Sequence, residues 1–213
     1  MKIKINEIYK SIQGESSYSG LPCTFIRLTY CNLRCSYCDT EYAFHDGKDM
    51  EISKIIEKVN ELNCNLVEVT GGEPLVQDSC INLLDALIKN NNKILLETGG
   101  ALTIKNVPKN VRIILDIKCP SSNMSDKNLW SNLKLLKPSD EIKFVIGDKK
   151  DYLWTKEIIE KYNLTRNYNV LFSPVYNKIE PKSIVDWILK DDLDVRFQIQ
   201  LHKSIWDAEK KGV

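Results

Sequence analysis

At 213 residues and 24.5 kDa the chain is long enough to bury one sizeable core and too short for two comfortable ones, so a single domain is expected. Lys and Arg total 30 against 29 Asp and Glu, a formal charge of +1, which leaves no global field to draw the protein to nucleic acid or an acidic membrane and excludes a direct nucleic-acid role. The opening MKIKINEIYKSIQ has no apolar core of signal-peptide length, no later stretch approaches the ~20 apolar residues of a membrane span, and a cytoplasmic location is expected.

In chain order, FIRLTY (Phe25 to Tyr30) reads as the first strand of a repeating series. Ile52, Ile55, Ile56, Val59 and Leu62 recur at helical spacing and are followed by the strand LVEVT (Leu66 to Thr70). Ile81, Leu84, Leu87 and Ile88 mark the next helix; KILLET (Lys93 to Thr98), VRIILDI (Val111 to Ile117) and EIKFVI (Glu141 to Ile146) are strands, with a weaker helix around Leu129 to Leu136. The helix carrying Trp154, Ile158 and Ile159 leads to NVLFSPV (Asn169 to Val175), and that carrying Ile184, Val185 and Ile188 to VRFQIQL (Val195 to Leu201). Alternation of this kind predicts βα units on a mostly parallel sheet. About six core strands plus one extra, in fewer residues than the ~250 of an eight-unit barrel, predict an α/β fold with a partial, incomplete parallel barrel. Chemistry in such folds lies at the carboxyl ends of the strands, where Cys31, Gly71-Gly72-Glu73-Pro74, Gly99-Gly100, Lys118 to Ser121 and Ser173-Pro174 all fall.

The first of these loops holds Cys31, Cys35 and Cys38, spaced C-x3-C-x2-C in TYCNLRCSYCDT. A structural zinc site closes with four protein ligands, and the fourth is missing, although His45 is close enough in sequence to complete a set in principle. A cubane of four irons and four sulfides is also held by thiolates, normally four; three leave one iron open, and an open metal position is where a substrate or cofactor binds. The other four cysteines, Cys23, Cys64, Cys80 and Cys119, read as small buried hydrophobes. An odd total of seven is no secreted disulfide framework.

The cysteine spacing after the first strand, with GGEP after the second, resembles the radical S-adenosylmethionine superfamily. The resemblance implies a 4Fe-4S cluster with one open iron that chelates the methionine moiety of S-adenosyl-L-methionine, and an electron transfer that releases a 5'-deoxyadenosyl radical. A soft, thiolate-held cluster supplies such a low-potential electron, two glycines let the backbone approach a small zwitterion, and Glu73 or a backbone carbonyl can accept from its ammonium. SIQGES (Ser11 to Ser16), FIRL before the cluster, CDT after it, DIKCPSS, EIKFVI and the tail IQLHKSIW narrow the resemblance, over almost the whole chain, to the 7-carboxy-7-deazaguanine synthase family.

Membership would imply a lyase that rearranges 6-carboxy-5,6,7,8-tetrahydropterin to 7-carboxy-7-deazaguanine with loss of ammonia, on the route to queuosine and other 7-deazapurines. Carried over position by position, Cys31, Cys35 and Cys38 hold the cluster; Tyr37, Asp39, Gly72, Glu73, Lys118 and Ser121 line the cofactor; Thr40 binds Mg2+, a hard cation that prefers oxygen. Ile12, Gln13, Gly14, Glu15, Arg27, Thr70 and Val213 hold the pterin, Arg27 with a fork suited to a carboxylate. Residues 1–23 become a substrate-binding segment, 24–175 the barrel core and 176–213 an extension closing the pocket. A flavodoxin- or ferredoxin-type electron donor and a homodimer are also implied.

Each role has a plainer competitor. Arg27 between Ile26 and Leu28 fits a solvent-facing strand position, Glu15 an exposed turn, Thr40 a helix cap; Lys149-Lys150 and Lys210-Lys211 read as solvated charge, His45 as a loop residue and His202 as a tail residue near the mouth. A glycyl-radical-enzyme activase would leave SIQGES, CDT and QLHK unexplained, and a zinc or iron-sulfur binding module is the non-enzymatic alternative. Four residues depart from the family's habit: Ser16 and Tyr30 where glycine is usual, Tyr37 for tryptophan, and Gly99 for a bulkier polar residue.

Overall fold

The computed structural model describes residues 1–208 and 210–213. Its elements run β1 (Lys2–Ile12), β2 (Pro22–Leu28), β3 (Lys48–Glu51), α1 (Ile52–Glu61), β4 (Leu66–Gly71), α2 (Ser79–Lys89), β5 (Lys93–Thr98), β6 (Arg112–Ile117), β7 (Glu141–Ile146), α3 (Lys149–Tyr162), α4 (Leu164–Asn167), β8 (Asn169–Pro174), α5 (Pro181–Lys190), β9 (Arg196–Phe197) and α6 (Leu201–Ile205). One sheet has the order β3-β1-β2-β4-β5-β6-β7-β8-β9. From β2 to β9 every pairing is parallel, while β1 joins β2 and β3 antiparallel. The expected partial barrel of six full strands and a short seventh is present. No helix among the described residues is long and apolar enough to cross a membrane.

Period-2 alternation sorts the side chains. Outward, Ile26, Leu28, Val67, Val69, Ile94 and Leu96 pack with Ile55 and Val59 of α1 and Leu83, Leu84 and Leu87 of α2. Ile113, Leu115, Ile142, Phe144, Val170 and Phe172 pack with Tyr152, Ile158 and Ile159 of α3 and Ile184 of α5. Burial of each such side chain stabilises by about 1.5–3 kcal/mol. Inward, a smaller apolar layer of Cys23, Phe25, Leu66, Leu95 and Ile114 forms a floor, and above it the same strands present Arg27, Glu68, Thr70, Glu97, Asp116, Lys143 and Ser173 to one cavity. Below the floor the β1–β2 loop is tied on: Ser17 donates from its amide and its hydroxyl to the buried Glu141, and Arg112 donates to the Tyr18 hydroxyl at 2.8 Å.

Three parts differ from expectation. The N-terminal stretch, not anticipated as regular structure, is an eleven-residue strand whose Ile3 and Ile5 are buried between exposed or half-buried neighbours. The helix expected around 129–136 is only a 3-10 turn over Trp130–Lys134; the buried Asn132 amide holds the backbone of Ile104, Gly100 and Leu102, a competition that disfavours a helix interior. The strand expected over 195–201 pairs with β8 only at Arg196 and Phe197, because Leu201 starts α6 and Gln200 turns to Asp39 at 2.9 Å.

Candidate active site

The loop leaving β2 carries the three cysteines into the mouth. All are free thiols, and all line one cavity of about 690 Å³. The loop is held by its own backbone and its neighbours: the Cys38 amide donates to Cys35 at 3.2 Å, Ser36 to Ser122 at 3.0 Å, and Arg34 Nη1 to the carbonyls of Cys31 and Leu33 at 2.9 and 2.6 Å. Burial pushes the Cys31 and Cys35 thiols up. Among the described residues no three His, Cys, Asp or Glu stand close enough together to hold one metal ion.

The GGEP loop packs against the cysteine loop with no room to spare. A Cβ at Gly72 would lie 2.4 Å from the Tyr30 carbonyl oxygen and 2.7 Å from Cys31 Cβ, and Gly71 has φ +152, so both positions need glycine. The fully buried Glu73 accepts from Leu75 N at 3.0 Å, the Thr98 hydroxyl at 2.8 Å and Gly99 N at 2.7 Å, tying this loop to the end of β5. Lys118 Nζ pairs with Asp116 at 2.9 Å. Burial works against the Lys118 charge, but Asp116 outweighs it and the ammonium is held above its ordinary range. The other Asp116 oxygen, Oδ1, is buried with no hydrogen-bond partner among the described residues, an acceptor that a donor on a bound ligand would satisfy. Free thiols, a glycine cradle and an ammonium–carboxylate pair in one cavity fit a thiolate-held cluster with a zwitterionic cofactor.

Asp39 is gripped by the tail, accepting from Lys203 Nζ at 2.7 Å and Gln200 Nε2 at 2.9 Å. Burial alone would raise its carboxyl; Lys203 and Gln200 overcome that and hold it down to about 2. Thr40 precedes a short helical turn but its hydroxyl makes no capping bond; it lies 3.8 Å from Cys38 Sγ. Tyr37 points its hydroxyl to the Val145 carbonyl at 3.4 Å. Ser121 does not line the cavity: its amide and hydroxyl both go to Asp151, one layer behind.

The deeper half holds the remaining expected residues. Arg27 is neither outward-facing nor exposed: Nε meets Glu7 at 2.7 Å and Nη2 the Tyr9 hydroxyl at 3.1 Å. Glu15 is no exposed turn residue; it pairs with the buried Lys143 at 2.6 Å, and Lys143 also meets Glu97 and, at 3.6 Å, Asp116. Gln13 is buried, donating from Nε2 to Glu68 and accepting from Glu15 N at 3.1 Å. Ile12, Gly14, Thr70 and Val213 line the same cavity, as does His202, whose ring stands where a Gly14 Cβ would go, 2.6 Å from Nδ1.

The radical SAM superfamily pattern matches residues 25–188 of this chain. The 7-carboxy-7-deazaguanine synthase of Koribacter versatilis is 43% identical, over 99% of this chain and 100% of its own, and that of Chlorobaculum tepidum 44% identical, over 99% and 97%. The chain belongs to the 7-carboxy-7-deazaguanine synthase family of radical SAM enzymes. The crystal structure of QueE from Escherichia coli has the same fold, with a TM-score of 0.79 at 21% identity and 95% of each chain covered.

Two departures from the 7-carboxy-7-deazaguanine synthase habit of glycine now have a conformation: Ser16 has φ +64 and Tyr30 φ +80, the left-handed region glycine enters freely. At Gly99 a Cβ would lie 3.0 Å from Leu33 Cδ1 and 3.3 Å from Glu73 Oε2, so here the small residue suits its neighbours. Sequence reasoning singled out neither Glu68, Glu97, Asp116 nor Lys143; Asp116 and Lys143 lie inside quoted motifs, and all four share the inward parity of their strands. Lys210 and Lys211, read as solvated, are exposed but stand at the cavity rim, Lys211 4.1 Å from the Tyr42 ring centre. Lys149 lies 4.0 Å from the centre of the Trp187 ring. Cys23, Cys80 and Cys119 are buried as expected, whereas Cys64 is half-buried.

Proposed function

We infer that this chain converts 6-carboxy-5,6,7,8-tetrahydropterin to 7-carboxy-7-deazaguanine and ammonia, as a radical S-adenosylmethionine lyase. The observation that carries the reading is the meeting, in one cavity, of the three-cysteine loop with Gln13, Glu15 and Arg27 from the β1–β2 hairpin. Cys31, Cys35 and Cys38 would hold the cluster. When bound, the cluster and S-adenosylmethionine would supply the radical chemistry that the rearrangement needs.

The chain's own residues position and shield. Arg27, with Nε and Nη2 engaged by Glu7 and Tyr9, is pre-aimed, so little rotamer entropy is lost when it meets the substrate carboxylate. Gln13 and Thr70 offer neutral hydrogen bonds, and Glu15, braced by Lys143, an acceptor. The Thr40 hydroxyl, free of a capping duty, is the proposed oxygen ligand for Mg2+. Asp39 and Glu73 are pre-ordered acceptors on the cofactor side. The apolar floor excludes water below the reacting ring, and positioning is the protein's main contribution. We assign residues 1–23 as a substrate-binding segment, 24–175 as the barrel core and 176–213 as an extension closing the pocket, in a homodimer served by a flavodoxin- or ferredoxin-type donor.

The test is an anaerobic incubation of the iron- and sulfide-reconstituted protein with S-adenosylmethionine, dithionite, magnesium and the pterin, followed by mass spectrometry, with Cys35→Ala as control. Product that needs Cys35 is expected. 5'-Deoxyadenosine with untouched pterin would move the substrate elsewhere, and neither product from a verified cluster would overturn the enzyme reading.

A further inference from the structure

Glu68 is a buried carboxyl to which the mechanism above gives no task. It projects inward from β4, is only 3% exposed, and stands just above the apolar floor. Gln13 Nε2 donates to it, while Gln13 Oε1 accepts from Glu15 N at 3.1 Å. The Gln13 carboxamide is therefore clamped at both ends. A carboxamide has two N–H donors and a carbonyl with two lone pairs; one of each is used here, which leaves one donor and one acceptor, in fixed order, for the cavity that Gln13 lines. A flip of the amide would put its NH2 against the Glu15 N–H, a repulsive contact in a buried site.

We propose that Glu68 is a positioning residue for the substrate: its carboxyl anchors the Gln13 carboxamide, whose orientation the Glu15 N–H sets, and thereby fixes which amide-like edge of a ring the cavity accepts. This rests on the reading of the cavity as a pterin site. The charged surroundings add a condition. Glu68 faces Gln13 and Glu15 from the hairpin, Glu97 of β5 and Lys143 of β7, with the Tyr9 phenol of β1 and the Cys23 thiol of β2 alongside. Burial first, then the Glu97 and Glu15 carboxylates, outweigh the Gln13 hydrogen bond and Lys143 and push its carboxyl up to about 8. Near pH 7 it carries its proton, and the clamp is a neutral hydrogen bond. As pH rises through about 8 the carboxyl ionises and the bond it accepts from Gln13 tightens.

The experiment compares reconstituted wild type, Glu68→Leu and Glu68→Gln with 6-carboxytetrahydropterin from pH 6.5 to 9. Loss of one neutral hydrogen bond, about 1.4 kcal/mol, is about tenfold in affinity, so Glu68→Leu is expected to raise KM about tenfold with kcat changed far less. Glu68→Gln, whose carbonyl still accepts from Gln13, is expected to keep a near-wild-type KM. Difference infrared spectra of wild type against Glu68→Gln are expected to contain a protonated-carboxyl band that bleaches over the same range, a readout that holds even if Glu68→Leu does not fold. An unchanged KM in Glu68→Leu, a KM in Glu68→Gln raised as far as in Glu68→Leu, or no titrating carboxyl band would overturn the proposal. A wild type that makes no 7-carboxy-7-deazaguanine would instead remove the pterin reading and this inference with it.

Discussion

Replacing Lys143 by methionine tests the electrostatic heart of the cavity. Its ammonium lies 2.6 Å from Glu15 Oε2 and 3.6 Å from Asp116 Oδ2 and also touches Glu97. At an effective dielectric constant near 20, unit charges attract by about 6 kcal/mol at 2.6 Å and about 5 kcal/mol at 3.6 Å. Much of that is cancelled by the cost of taking the charges out of water, and removal of one partner from a buried pair costs about 3–5 kcal/mol, a large share of the ~5–15 kcal/mol of a typical domain. Methionine keeps the volume, so the loss is electrostatic. The sign with pH follows from Asp116: burial raises its carboxyl, but Lys118 and then Lys143 hold it below its ordinary range. In the wild type that contributes stability present above the ordinary carboxylate range and lost as pH falls through the lowered value. Without Lys143 part of the contribution is gone, and protonating the abandoned carboxylates relieves the deficit. Urea unfolding of anaerobically purified protein, followed by tryptophan fluorescence, is expected to show a loss of about 3–5 kcal/mol at pH 8 and a smaller one near the ordinary Asp value of 3.8. A loss below ~1 kcal/mol, or equal losses at the two pH values, would refute the reasoning.

Gly72→Ala is expected to displace the Tyr30 carbonyl and Cys31, which its Cβ would meet at 2.4 and 2.7 Å, and iron and sulfide content after reconstitution should drop well below that of wild type; full loading would show that the two loops yield more easily than their packing indicates. Tyr30→Gly, at φ +80 and half-exposed, should raise stability by about 1 kcal/mol, read as a higher thermal midpoint. Lys203→Met removes the main support of the lowered Asp39 carboxyl, so the acid limb of the pH–rate profile should move to higher pH; an unmoved limb would mean that Asp39 does not act through its charge.

How much was legible depends on which face of a strand meets water. KILLET, EIKFVI and NVLFSPV declare themselves by apolar content, and the cysteine and GGEP loops by residue types with few other uses. Glu68 in LVEVT and Lys143 in EIKFVI were hidden because alternation reports a polar face without saying that this face lines a barrel; a charge between β-branched neighbours looks like surface until the sheet curls. The strand Lys2–Ile12 was masked by its lysines and its asparagine, and the tail by QIQL, which has strand-like alternation but is bent away by the Gln200 and Lys203 bonds to Asp39. Side chain bonds between residues over a hundred positions apart have no local signature.

The bonds that Glu73 accepts from Thr98 and Gly99 also bear on how this scaffold can be rebuilt. Two turns more than twenty residues apart in sequence share one buried carboxylate, so neither is an independent module for exchange. A segment 71–76 transplanted from a relative would arrive with its acceptors aimed at someone else's hydroxyl and amide unless 98–99 travelled with it. The smallest unit that can be swapped without stranding a buried charge is the pair of turns together.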